Sequence, residues 1–492
     1  MSCDGYILPM KRHNKTQTQQ IASPACNRAT AAFTPPFTIT AYAIPFQVPG
    51  SQKDRQMLHY FCVQASHDLS GYLSSEFWSK VVLQCSHTEP VVRNALVALS
   101  SVHLDFVTQE SPHGQQSHEG GRNVEASLQY SRAVRQLRRH LSSTAQPSIK
   151  VVLICCILFY CFESSYGDYD SAREHLRCGL VILQTARANR INDRPSSDSV
   201  QSHDDIEQLS QIFSRLDLQA MMFDDMRMPF LELTSAEERS GVAPVVSHLT
   251  FSDLAEAQVT LDKLQNQQLN FLMRNNRYKF FSAADLPDFI VVEKGELEKQ
   301  LERWSVALDG FCELQHQPEA LKQHPRHADH NIMIQQGSAI LKLHHRISRM
   351  FLLASFPEDS SIFGASPNPD AELMLGLAEF LIQSNRKSQS NAASTSPISS
   401  RSFSSHMGIV APLFLLAMKC HDTHVCERVV SLLAVSNRRE GLVDAQMVVG
   451  ILQRVAMLKR RDQATPLVDG QRNGHLWHVQ KRCHWRPGVL TQ

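Results

Sequence analysis

Residues 151–183 read VVLICCILFYCFESSYGDYDSAREHLRCGLVIL. The first twelve are apolar with no alternation, the pattern of a helix buried on every side rather than of a half-exposed strand. The run is too short to span a bilayer and Glu163 ends it, so a core helix is expected. Gly167 and Asp168 then interrupt the pattern. Glycine suits a helix end, and Asp168 can cap the start of the next helix. Beyond them Ala172, Leu176, Leu180 and Leu183 recur at steps of four and three on one face. Two helices joined by a tight turn set the reading for the whole chain, which is all-α.

The neighbouring stretches repeat that grammar. TEPVVRNALVALSSVHLDFV (88–107) puts Val92, Leu96, Leu99, Val102, His103 and Phe106 on a shared face. Thr88 is the expected N-cap there, with Glu89 and Pro90 in the first turn, where a missing N–H matters least. GELEKQLERWSVALDGF (295–311) gives a seam of Leu297, Leu301, Trp304, Leu308 and Phe311 that must pack against another helix. No sheet larger than a hairpin is expected. Residues 7–53, rich in Thr, Ala, Gln and Pro, read as a flexible linker. A helical body follows over 54–460, and a variable tail over 461–492. Three stretches, 109–123, 187–205 and the Ser-rich 384–406, carry no apolar period and read as exposed loops. The last is also a candidate phosphorylation region, but a disordered spacer is the reading expected there.

The chain has 492 residues, a formal net charge of +1 and 42% hydrophobic residues. A near-neutral balance gives no global attraction for a polyanion, so any nucleic-acid contact would need a local patch. Arg132, Arg135, Arg138 and Arg139 form one such stripe, but no aromatic residues interleave with them, and a solvated helix face is the simpler reading. The 12 cysteines are scattered and follow no signal peptide. That spacing suits reduced thiols in the cytoplasm or nucleus.

Motifs for chemistry are missing. The chain holds no Gly-rich phosphate loop, no G-x-S-x-G and no H-E-x-x-H. Cys420, His421, His424 and Cys426 could gather round a metal only if a helix broke among them. His475, His478, Cys483 and His484 lie in a tail without other pattern. Neither group has the paired spacing of a structural zinc site, so buried thiols and surface histidines are expected instead. His103, Asp105 and Cys155 or Cys156 are the residue types of a nucleophilic site, yet nothing in the sequence brings them together. No catalytic, cofactor-binding or metal residue is assigned, and the chain is not read as an enzyme.

GDYDSAREHLRCGLVIL (167–183) resembles the second helix of a tetratricopeptide repeat at Gly167, Ala172 and Leu176, but an array needs at least three copies. A wider resemblance joins four blocks in order: 82–103, 161–183, FSRLDLQAMMF (213–223) and FLLAMKCHDTHVCERVVSLLAVSNRREGLVDAQ (414–446). Together they resemble the regulatory domain of fungal Zn2Cys6 binuclear-cluster transcription factors, over about residues 54–460. The resemblance implies a pathway-specific transcription regulator in the nucleus, possible control of a secondary-metabolite gene cluster, and coregulators or a DNA-binding partner as its contacts, with no membrane. It also reads Cys420 and Cys426 as ordinary helix positions.

The same resemblance explains MSCDGYILPMKR (1–12). Cys3-Asp4-Gly5-Tyr6 matches the end of the six-cysteine module, so residues 1–6 read as its remnant and Cys3 as its sixth ligand. Cys26 is too distant to join it. One thiolate cannot hold zinc, and so small a module has no fold without metal. No cofactor is therefore expected in this chain, and DNA binding only if the cluster is restored upstream. Lys11, Arg12 and Lys15 remain as a weak basic patch. Two rival readings are a DNA-binding-deficient coregulator and a tetratricopeptide-like scaffold.

Overall fold

A computed structural model describes residues 49–73, 75–108, 124–143, 148–192, 199–221, 227–239, 243–315, 327–392 and 401–464. Ser51 starts the helical body. Its hydroxyl accepts from the Asp54 N–H while the Asp54 carboxylate accepts from the Ser51 N–H, a reciprocal cap. The body thus begins inside the stretch read as linker. Helix α1 (Gln52–Tyr60) runs through a π turn into α2 (Ser66–Ser70), and a second π turn leads to α3 (Val82–Thr88). Then come α4 (Pro90–Thr108), α5 (Val124–Ser143), α6 (Ile149–Tyr166), α7 (Tyr169–Asn192), α8 (Ser199–Met221) and α9 (Ala236–Arg239). The second half holds α10 (Leu254–Arg274), α11 (Asp288–Gln315), α12 (His327–Leu353), α13 (Ser361–Gly364) and α14 (Pro369–Ala392). It ends with α15 (Val410–Lys419), α16 (Thr423–Ser436) and α17 (Ala445–Ala464).

The first half closes around α6, which packs against α4, α5, α7 and α8. Every residue from Val151 to Phe162 is buried, as an apolar run without a polar face requires. The helix is longer than its apolar run. At 18 residues α6, like α4, is long and apolar enough to cross a membrane, but both lie mostly buried inside the body. The protein interior accounts for their hydropathy. A helix sheathed all round is also unlike a solenoid unit, which leaves one face open. The turn after α6 forms as the sequence implied. Gly167 adopts φ +82°, the N–H groups of Gly167 and Asp168 bond Ser164 and Glu163 carbonyls, and Asp168 Oδ1 accepts from Ser171 N–H. The α3–α4 junction differs. Thr88 closes α3, its hydroxyl donating to the Cys85 carbonyl, and the extended Glu89 precedes Pro90 at the first position of α4. Proline drives the residue before it out of the helical region, which places the break at 89.

The second half builds its own core from α10, α11, α12 and α14–α17. The α11 seam is its centre: Leu297, Leu301, Trp304, Leu308 and Phe311 are all buried. Trp304 stacks on His345 at 5.0 Å between ring centroids, and its Nε1–H donates to the Ala257 carbonyl at 2.9 Å. A tryptophan this deeply buried needs that partner.

A small sheet joins the halves and exceeds the hairpin expected. Strands β1 (Ser402–Ser404), β2 (Arg438–Glu440) and β3 (Val443–Asp444) lie in that order, β1 parallel and β3 antiparallel to β2. The polar stretch 384–406 is therefore not one exposed loop. Helix α14 continues to Ala392, and Phe403, Ser404, Ser405 and His406 are buried. The serines tolerate burial because their hydrogen bonds are met: Ser405 N–H and Oγ–H both reach the Leu69 carbonyl, and Trp78 Nε1–H donates to Ser405 Oγ. Likewise α7 and α8 fill most of 187–205. Residues 109–123, 193–198 and 393–400 lie outside the described residues.

Candidate functional site: a buried polar junction between the two cores

The segment 401–410 threads between the halves. Phe403 belongs to the first core and Ile409 to the second, while across the hairpin Leu442 belongs to the first and Val443 to the second. Between them sits a set of polar side chains that the flanking helices cannot satisfy internally. Glu440, fully buried, accepts hydrogen bonds from the N–H groups of Gly408, Ile409 and Val410 at 2.8, 3.0 and 3.0 Å. Those of Ile409 and Val410 are orphan donors at the start of α15, and a carboxylate at a helix N-terminus also meets the positive end of its dipole. Arg438 Nε lies 3.2 Å from Glu440, and its guanidinium covers the Tyr72 ring. Burial pushes the Glu440 carboxyl above its usual range, against the pull of Arg438 and the three N–H groups. Burial likewise pushes Tyr72 up to about 12.

The first core answers from its own helices. Tyr160 of α6 donates to Gln219 Oε1 of α8 at 2.9 Å, and Gln219 Nε2–H donates to the Glu440 carbonyl. Arg439 Nη1–H donates to the Ser164 and Ser165 carbonyls at 3.1 and 3.0 Å, so a side chain of the second half caps the end of α6. Arg439 also pairs with Asp444 at 3.1 Å. Gly408 fits because a Cβ there would lie 2.3 Å from Glu440 Oε1.

Beside this set lies a cavity of about 30 Å³. Its polar lining includes Arg215 of α8, Asp262 of α10, His344 of α12 and His406. Arg215 Nε and Asp262 Oδ2 approach to 2.7 Å, an ion pair that spans the two halves without the alignment of a hydrogen bond. Burial pushes Asp262 up to about 6 despite Arg215. His406 is buried with no hydrogen-bond partner on either ring nitrogen, and burial, helped by Arg215, pushes it down to about 3. His344 Nε2 contacts the Gly408 carbonyl at 2.8 Å, linking the cavity wall to the Glu440 set. About 10–15 Å³ of such volume holds one water, so the cavity suits very small polar guests rather than a metabolite.

The residues singled out from sequence are placed as follows. His103 is buried, its Nδ1 meeting Tyr60 Oη at 2.9 Å and its Nε2 lying 3.8 Å from Asp68. Cys155 is instead influenced by Cys85 and Glu89 at the opposite end of α4. The fourteen residues from Glu89 to His103 correspond to about 20 Å of helix, so His103, Asp105 and Cys155 do not form one site. Burial pushes the Cys155 thiol well up and Cys156 to about 12, which keeps both from acting as thiolates. The chain does break near Cys420, at the end of α15. Cys420 is buried there, Cys426 Sγ–H points at the Ala417 and Cys420 carbonyls, and His421 and His424 are exposed. Among the described residues no group of three His, Cys, Asp or Glu could hold a metal. Arg132, Arg135, Arg138 and Arg139 are exposed on α5. Cys3, Cys26, Lys11, Arg12, Lys15, His475, His478, Cys483 and His484 lie outside the described residues.

Sequence reasoning missed Glu440, Arg438, Arg439, Gln219, Arg215, Asp262 and His406. One local signal existed: Asn437 and Gly441 bracket the charged triplet Arg438-Arg439-Glu440, and both adopt positive φ, +45° and +52°. Turn formers round a short charged run mark an interruption rather than a helix surface.

Known proteins supply the remaining comparison. The chain is 22% identical to the aspercryptin biosynthesis cluster-specific transcription regulator atnN of Emericella nidulans, over 96% of this chain and 84% of that protein. It is 28% identical to the transcription regulator lscL of Purpureocillium lilacinum, over 40% of this chain and 44% of that protein. No solved structure matches. The match to the fungal specific transcription factor domain runs over residues 56–486, past the boundary expected at 460. That domain fills most of the sequence, and the chain belongs to the fungal-specific transcription factor domain family.

Proposed function

We propose that this chain is a pathway-specific transcription regulator that controls the genes of one biosynthetic cluster from the nucleus. The observation that carries the reading is the similarity to a cluster-specific regulator along 96% of the chain. The structure is compatible with a role through surface contacts rather than catalysis. Glu440, Arg438, Arg439 and Gln219 are spent on one another and on backbone groups, and the cavity of about 30 Å³ beside them is far below the roughly 300–1,000 Å³ of small-molecule sites. Coregulators or a DNA-binding partner are its expected contacts. Deleting and overexpressing the gene, with transcript profiling of both strains, tests the reading. Opposite changes across one contiguous gene group are expected. Unchanged transcripts in both strains would refute it.

Zinc enters this reading only through Cys3. Among the described residues no cluster of side chains fits a zinc site. We read Cys3 as one thiolate of a zinc cluster, and a single thiolate does not hold zinc. The chain of residues 1–492 alone then purifies with far less than one zinc per molecule. Stoichiometric zinc in that chain would overturn the remnant reading.

A further inference from the structure

Helix α5 buries Ala126, Gln129 and Ala133 and turns the opposite face to solvent. That outer face changes character along its length. Val124 and Leu128 stand out at its start, 71% and 52% exposed. Arg132, Arg135, Arg138 and Arg139, all exposed, follow over the next three turns. The only carboxylate of α5 is Glu125, and Lys53 already pairs with it. Arg132, Arg135 and Arg138 therefore meet no acid on their own helix.

This arrangement is unfavourable for the isolated protein. Arg132 and Arg135, and Arg135 and Arg138, are three positions apart, where like charges weaken a helix. Arg132 to Arg138 span about 9 Å of axis, near the Debye length at physiological salt, so their fields add. A solvated face needs neither clustered like charge nor two large apolar side chains at its head.

We propose that the outer face of α5 docks an acidic amphipathic segment of a partner protein. Its apolar side chains lie on Val124 and Leu128, and its carboxylates on Arg132, Arg135 and Arg138. Charge complementarity selects an anion, and the apolar head selects a peptide over a nucleic acid, since phosphates make no use of Val124 or Leu128. From Val124 to Arg138 the face measures about 21 Å, the length of a four-turn helix. The inference stands apart from which genes the chain controls.

The test uses the full chain and three labelled probes, followed by fluorescence anisotropy. One is a 16-residue peptide with Leu and Phe in one half and Glu and Asp in the other. The second replaces Leu and Phe with Ser at the same charge, and the third is a 20-base-pair duplex DNA. The amphipathic peptide is expected to bind at least tenfold tighter than the Ser peptide or the duplex. Leu128→Ser should weaken it about tenfold, and R132E/R135E/R138E together should abolish it, with unchanged circular dichroism in both variants. Equal binding of the two peptides, tighter binding of the duplex, indifference to Leu128→Ser, or no binding of the amphipathic peptide each overturns the proposal. Should the triple-Glu variant misfold, R132Q/R135Q must still weaken the amphipathic peptide, and unchanged affinity there overturns it too.

Discussion

Glu440 and Gly408, 32 positions apart, are joined by a 2.8 Å hydrogen bond from the Gly408 N–H to the Glu440 carboxylate. Through it a strand of the hairpin holds the start of α15, and Arg438 balances the charge that this places indoors. Removing the carboxylate leaves a buried guanidinium and three backbone donors without their acceptor. Glu440→Ala is therefore expected to lose about 3–5 kcal/mol of stability, the scale for breaking a buried pair from one side. Glu440→Gln, which keeps an acceptor, should lose less. Urea unfolding measures both, and a loss below about 1 kcal/mol for the alanine variant would show that water reaches the junction.

The seam of α11 gives a second prediction. Trp304 is wholly buried against His345 and bonded to the Ala257 carbonyl. Trp304→Ala should cost about 3–5 kcal/mol, as large-to-small core changes do. A thermal midpoint equal to that of the unaltered protein would mean that this face is open to solvent.

Legibility in the sequence followed periodicity. The buried faces of α4, α7 and α11 were readable because apolar residues at steps of three and four encode a face directly. The junction was not, because its members come from distant places: Tyr160, Arg215, Gln219, Asp262, His406 and Glu440 lie on five separate elements or loops. Each alone looks like a polar helix position. The segment 401–406 was misread for a related reason. Its serines suggested exposure, while their burial depends on the Leu69 carbonyl and the Trp78 indole, more than three hundred residues away. Thr88 was misassigned because the constraint comes from Pro90 rather than from capping preference.

Acid should loosen the fold. Burial holds His406 down to about 3 and His345 to about 4, and lowers His103 and His344 as well. The unfolded chain protonates these rings near their ordinary value of about 6.5 while the native state does not, so their contribution is full above 6.5 and falls as pH drops below it. Asp262, raised to about 6, works the other way and adds stability as pH falls through 6. Glu440, raised by burial, acts in the same sense as Asp262. His175 is lowered by burial too, and these five histidines outweigh the two carboxyls and His67, which Asp68 raises. The urea midpoint should fall between pH 7.5 and 5. Asp262→Asn should steepen the fall and His406→Leu make it shallower. A flat profile for the unaltered protein contradicts this.

Two glycines separate the junction from an ordinary helix surface. Gly441 begins the two-residue turn between β2 and β3 at φ +52°, and a Cβ there would lie 2.3 Å from Gln219 Oε1 and 2.6 Å from Tyr160 Oη. Alanine would meet both a strained backbone and the bond between Tyr160 and Gln219 that ties α6 to α8. Gly441→Ala should therefore destabilise by about 1–3 kcal/mol or more. Gly450 lies within α17, where a Cβ would meet nothing within 4 Å. There alanine restricts the unfolded chain and suits the helix, so Gly450→Ala should stabilise by about 0.5–1 kcal/mol. Paired thermal melts decide the matter. Opposite shifts support the junction as the structure places it. Equal shifts would mean that the Gln219 and Tyr160 side chains move aside freely, and that the two halves are not held together at this turn.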